Sequence, residues 1–125
     1  MHDPLAEIVD GDVLYRWISP QYIKRNGKVS SGAYKRWSSV ERKLVIDPRI
    51  SVDLARLTDA EKMRMRSTRP DTRIGAISVA ILSQLGLSVR HEPDEANGNP
   101  AHCVIEGDIT DDVCRQLADD TDLLP

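Results

Sequence analysis

A chain of 125 residues that is 40% hydrophobic and 30% charged has the balance of a globular domain rather than a disordered one, with room for one real core and not for two. Its longest apolar run, Val79–Leu82, falls far short of the roughly 20 residues of a membrane span, which argues against a membrane partner. The formal charge of −3 conceals a segregation: residues 1–15 hold four acids and no base, residues 16–73 fifteen bases and six acids, and residues 74–125 two bases and ten acids.

Asp3–Pro4 reads as the start of a short helix, acid at the cap and proline at the first position, stopped by Asp10–Gly11. Val13–Ile18 is rich in strand formers and ends at Ser19–Pro20. Alternation places Arg16 on one face with Leu14 and Ile18; if that face is buried, the guanidinium needs a carboxylate or phosphate partner. Lys24–Lys28 is a polar turn, Ser30–Lys35 a short irregular strand, Trp37–Arg42 a loop or single turn, and Leu44–Ile46 a brief strand. Ile50–Leu54 alternates strictly, which favours a strand with Ser51 and Asp53 on the face away from the core. Thr58–Glu61 matches a capping box for a helix running to about Arg66.

Ile74–Leu85 is apolar almost all round and reads as a buried helix capped by Gly86, with Ile74–Ile77 equally compatible with a strand. Leu87–Val89 is a strand, Pro93–Pro100 the longest loop, His102–Ile105 a strand, and Thr110 opens a last helix through Leu117. The tail 119–125 is acidic and is expected to fray. The result is an α+β fold: one compact domain over residues 1–125, with several short strands, three or four helices and no regular β-α-β alternation.

Cys103 and Cys114 lack the spacing of a zinc or redox motif and read as free thiols. With His91 and His102 they supply metal-ligand types without ligand spacing, so no metal and no cofactor is expected. The acidic start Met1–Pro4 is neither a secretory signal nor a transit peptide, which points to the cytoplasm. Five aromatics and no Phe argue against a stacking platform for single-stranded nucleic acid.

Three readings of the charge pattern compete: a polyanion site, neutralisation of the middle by the ends, or an acidic protein partner. Lys24, Arg25, Lys28, Lys35 and Arg36, with Arg42, Lys43 and Arg49, would be the phosphate-contacting residues of the first. The cations at the end of the 58–66 helix complement its macrodipole, and Asp53 beside Arg56 reads as a local ion pair. The sharper constellation is Arg16, Asp53 and His102 converging at strand ends around one polar pocket. There Arg16 would hold an anion, Asp53 orient and His102 move a proton, with Ser51, Arg56 and Asn99 as flanking binding residues.

The pieces Leu14-Tyr15-Arg16, Ser31-Gly32-Ala33-Tyr34, Ser51-Val52-Asp53-Leu54-Ala55 and Asn99-Pro100-Ala101-His102 resemble a set of small uncharacterised bacterial proteins of about this length. That resemblance implies a self-contained bacterial cytoplasmic module and brings no activity with it. A weaker likeness is to ADP-ribosyltransferase-type folds, onto which Arg16 and Ser31 map while no Glu stands at the third position. The leading expectation is therefore an interaction module or accessory subunit, one half of a two-gene system, that meets a protein partner through charged faces. The alternatives are a small enzyme or toxin-like effector acting on a nucleotide or RNA through Arg16, Asp53 and His102, and nucleic-acid binding by residues 16–73.

Overall fold

Val13–Ile18 carries the β-branched and aromatic side chains that suit a pleated, half-buried surface. In a computed structural model, which describes residues 5–125, this segment is β1, near the centre of a six-stranded sheet. The other strands are β2 (Lys35–Ser38), β3 (Lys43–Ile46), β4 (Ile50–Leu54), β5 (Arg73–Ser78), β6 (Ser88–His91), β7 (His102–Glu106) and β8 (Asp122–Leu123). The helices are α1 (Ala60–Arg66), α2 (Val79–Gln84) and α3 (Asp111–Asp119), so the chain is a single α+β domain. The sheet order is β6-β7-β4-β1-β5-β8 with every neighbouring pair antiparallel, while β2 and β3 form a hairpin outside it. No helix among the described residues is long and apolar enough to cross a membrane.

Period-two alternation sorts the sheet into two unlike faces. Leu14 stands opposite Leu54 and Ile77, Val52 opposite Cys103, and Ile50 opposite Ile105, all of them buried. This face packs under Val79 and Leu82 of α2, Cys114 and Leu117 of α3, and the segment from Val29 to Tyr34. Full burial of each large aliphatic contributes roughly 1.5–3 kcal/mol, so this side fixes the register. The other face places Tyr15, Asp53 and His102 side by side across β1, β4 and β7.

Several local expectations yield to tertiary partners. Leu5–Val9 is not helical, because the Ala6 amide donates to His91 Nδ1 and the Val9 amide to Asp12 Oδ2; Asp3 and Pro4 lie outside the described residues. Ser31–Tyr34 is a 3₁₀ turn rather than a strand, and the strand begins one step later with Lys35 and includes Trp37. The cap of α1 is Asp59, accepting from the Lys62 amide, so the Thr58 capping box does not form. Residues 73–78 are strand and only Val79 onward is helix, with Ser78 as its cap. The tail does not fray: β8 pairs with β5, Thr121 is buried, and Arg73 and Arg64 donate to the carbonyls of Leu124 and Pro125.

The N-terminal segment is tied down by Asp12, whose side chain is 9% exposed. Its Oδ2 accepts the Val9 amide at 3.0 Å and its Oδ1 accepts Arg56 Nε at 2.8 Å. The Val9 hydrogen bond, opposed by burial and aided by Arg56, holds the carboxyl below its ordinary value of 3.8. A depressed folded pKa means that this stabilisation is complete above the unfolded value and disappears as pH falls through the folded one. Asp12→Asn is expected to cost about 1–3 kcal/mol near neutral pH. The loss should shrink as pH falls below the ordinary carboxyl value of 3.8 and through the lower folded one; urea unfolding at several pH values checks it, and a pH-independent loss contradicts it.

Candidate functional site

The site begins where two strands part. β1 and β4 pair only at Leu14↔Leu54 and Tyr15↔Asp53, and continuing that register would set Trp17 against Ser51. Instead β1 stays with β5 as far as Ile18, and β4 stays with β7 from Ile50 to Asp53, so a wedge opens between them. The Arg16 side chain fills its base from the core face. Nη1 donates to the Ser51 carbonyl at 2.6 Å, Nε donates to the Ala33 carbonyl at 2.7 Å, and the guanidinium lies 5.3 Å from the centroid of the Tyr34 ring.

Among the described residues no carboxylate ion-pairs with Arg16, and Nη2 has no hydrogen-bond partner. Burial pulls its pKa down, with Tyr34 and then Asp47 pushing back; a guanidinium stays protonated in proteins all the same. Beneath it Tyr34 is fully buried, and its hydroxyl meets Thr121 Oγ1 at 2.6 Å. Thr121 gives its own proton to the Leu117 carbonyl, so Tyr34 is the donor of that pair. Burial raises the Tyr34 pKa, opposed by the Thr121 bond.

Above the wedge lies a cavity of about 620 Å³, within the usual range for small-molecule sites. Tyr15, Arg16 and Trp17 come from β1, Ser51, Val52 and Asp53 from β4, and His102 from β7. Met63 and Arg66 of α1 form one wall, and Asp94, Asn97 and Asn99 of the 93–100 loop form the other. Trp17 is 44% exposed, yet its ring is fixed by the Nε1 bond to the Met63 carbonyl at 3.0 Å.

Asp53, 6% exposed, has both carboxylate oxygens occupied: Oδ2 accepts Arg66 Nη2 at 2.9 Å and Oδ1 accepts Asn99 Nδ2 at 2.9 Å. It thus holds the two walls in place and is a positioning residue rather than a free base. Arg66 keeps one unmet demand, since its Nε is buried and has no partner. The loop is stiffened by reciprocal backbone bonds between Asp94 and Asn99 and by the Asp94 carboxylate accepting from Asn97.

The two described histidines take opposite tautomers. His102 Nδ1 lies 2.7 Å from the Glu92 carbonyl, and a carbonyl only accepts, so Nδ1 carries the proton in the neutral ring. The Nε2 lone pair is left without a partner among the described residues, on a ring that lines the cavity. A carbonyl-fixed tautomer with the other nitrogen open is the arrangement for accepting a proton. His91 is the reverse: Nδ1 accepts the Ala6 amide, Nε2 donates to the Pro100 carbonyl, and the ring is buried. Long-range ¹H–¹⁵N spectra are expected to show the Nδ1–H tautomer for His102 and the Nε2–H tautomer for His91; matching tautomers contradict the geometry.

Arg16, Ser51, Asp53, Asn99 and His102 therefore line one cavity, with Arg16 entering from the core side of the sheet. The remaining expected binding residues lie elsewhere. Arg56 pairs with Asp12, not with Asp53, because β4 directs Asp53 toward α1, where Arg66 reaches it. Lys35 pairs with Asp111 of α3 at 2.6 Å, and Arg49 pairs with Glu92. Lys24, Arg25, Lys28 and Arg36 are absent from the cavity wall. Glu106 pairs with Arg90, leaving His102 without a carboxylate partner on its strand.

Arg66 and Trp17 are among the cavity residues that sequence reading did not place there. Arg66 read as a macrodipole cation, and nothing local marks it as the partner of a residue thirteen positions away. Both cysteines are free and buried; burial raises the pKa of each, that of Cys103 to about 12. Among the described residues no group of three or more His, Cys, Asp or Glu is placed to hold a metal ion. Compared with protein-family models, with curated proteins and with solved structures, the chain has no match.

Proposed function

We propose that the cavity binds a small phosphorylated, nucleotide-like ligand and that the protein is a small enzyme of transfer or hydrolysis acting on it. The observation that carries this reading is Arg16: a cation at the cavity floor with two carbonyls and an aromatic face as partners and no carboxylate among the described residues. A charge withdrawn from water is costly unless an opposite charge meets it, and an anionic ligand in the wedge supplies that charge. Arg66, which lines the same cavity, adds a second cation for the same anion. The fixed indole of Trp17 offers a planar surface for a ring attached to it.

His102 Nε2 then accepts a proton from an attacking water or hydroxyl, and Asp53 keeps Arg66 and Asn99 in position. The bacterial cytoplasmic setting comes with this reading from the sequence resemblance. An accessory module acting through charged faces is favoured less for this cavity, because the exposed bases of the middle do not line it. The test is a thermal-shift and calorimetric titration with AMP, ADP, ribose 5-phosphate and inorganic phosphate. At least one phosphorylated ligand is expected to raise the Tm of the native chain and to do so much less for Arg66→Gln. His102→Gln is expected to bind that ligand normally while losing turnover by about 10²–10⁴-fold. No concentration-dependent shift with any of the four sinks the reading.

A further inference from the structure

The ion pairs divide the basic middle of the chain into two unlike halves. From Arg49 to Arg66 four of the five cations meet acids, Arg49 with Glu92, Arg56 with Asp12, Lys62 with Asp59 and Arg66 with Asp53, while Arg64 donates to the Pro125 carbonyl. From Lys24 to Lys43 only Lys35 does so among the described residues. Lys24, Arg25, Lys28, Arg36, Arg42 and Lys43 are exposed and have no ion-pair partner among the described residues. The single acid in that stretch is Glu41.

These six belong to one neighbourhood. Lys24–Lys28 is the turn closed by the Ile23↔Val29 bridge, and the others lie on the β2–β3 hairpin or its turn. The two meet at Gly32, where a Cβ would stand 2.9 Å from the Tyr22 ring, just before the turn, and 3.0 Å from Leu44 Cδ1 on β3. Leu44 is the cross-strand partner of Trp37, whose side chain is 62% exposed on the same face of the hairpin. Arg36 and Lys43 stand on the reverse face, and Arg42 sits at the tip. Arg42 also holds φ +55° in the hairpin turn, a conformation that favours glycine. The turn geometry thus has no need of an arginine there, whereas a cationic tip does.

We propose that this surface, distinct from the cavity, docks single-stranded nucleic acid: phosphates run from the 24–28 turn to the hairpin tip, and an unstacked base lies on Trp37. A duplex has its bases already stacked and cannot use an open indole, and the Asp and Glu side chains of an acidic polypeptide offer no ring to lay on it. The probe is a fluorescein-labelled oligouridylate read by anisotropy across a salt series, beside a duplex of equal length and polyglutamate as competitor. Each phosphate contact is expected to contribute about −0.7 to the slope of log affinity against log salt. Replacing Lys24, Arg25 and Lys28 together by Gln should therefore flatten that slope by about 2.

Arg42→Gly should lower the slope's magnitude by about 0.7 while leaving Tm unchanged or higher, so that loss of binding cannot be ascribed to unfolding. Trp37→Ala should weaken binding roughly 5- to 100-fold with the slope intact. Absence of binding at low salt overturns the proposal. Displacement by polyglutamate at equal charge concentration, together with indifference to Trp37→Ala, overturns it in favour of an acidic protein partner. Tighter binding of the duplex overturns the single-stranded assignment.

Discussion

Gly75→Ala is expected to destabilise the fold by roughly 2–3 kcal/mol, the upper part of the range for overpacking a filled core. Gly75 sits on β5 opposite Arg16, and a methyl there would stand 2.5 Å from Thr121 Cγ2 and 3.1 Å from Ile18 Cγ1. Thr121 cannot swing aside without loss, because its hydroxyl donates to the Leu117 carbonyl and accepts from the buried Tyr34, each at 2.6 Å. Ile18 is fully buried and has no room to retreat. The missing side chain thus lets β8 close against β5 and sets the Tyr34–Thr121 pair beneath the guanidinium. Urea unfolding measures the loss. Thr121→Ser removes the clashing methyl and keeps the hydroxyl, so the double variant should recover much of the stability. A double variant no better than Gly75→Ala alone would place the cost elsewhere.

Arg16→Met is expected to lower stability by about 2 kcal/mol and to remove ligand stabilisation altogether. Two carbonyls lose their donor, but unequally: Ser51 is exposed and regains water, whereas Ala33 is buried and does not. One unmet buried acceptor costs about 1–3 kcal/mol. Relief of guanidinium desolvation subtracts from that cost, and the flexible methionine chain fills much of the vacated volume. Arg16→Lys keeps a charge but cannot reach both carbonyls in the fixed fork of an arginine, so it should fall between the two. Unfolding with and without AMP separates the effects: the first concerns the carbonyls, the second the counter-charge. An Arg16→Met protein more stable than the native chain and still stabilised by AMP contradicts both.

The candidate site was partly legible in the sequence. Arg16 among aliphatics on a strand, a strict alternation exposing Ser51 and Asp53, and a histidine just after a long loop all identified residues that line the cavity. The polar strand positions were readable because alternation is a local property: one residue in two points away from the apolar face wherever the strand lies. Partner choice is not local. Asp53 meets Arg66 rather than Arg56 because the α1 helix returns across the sheet, and Arg56 turns instead to Asp12, forty-four positions earlier. The N-terminal helix failed for the same reason, since His91 and Asp12 captured the amides that a helix would have paired.

By itself, then, the amino-acid sequence determined an α+β domain, its strands β1, β4 and β7, the start of its last helix at Thr110 and the segregation of charge, all of which depend on spacing along the chain. Only the tertiary structure decided that β1 and β4 part after Tyr15↔Asp53, and that this wedge turns a partly buried arginine toward a cavity. It also decided which histidine keeps an open nitrogen, and which half of the basic segment remains unpaired. The physical reason is that each of these depends on register between strands or turns distant in sequence. Register is set by the whole buried face at once, not by any residue that the site uses.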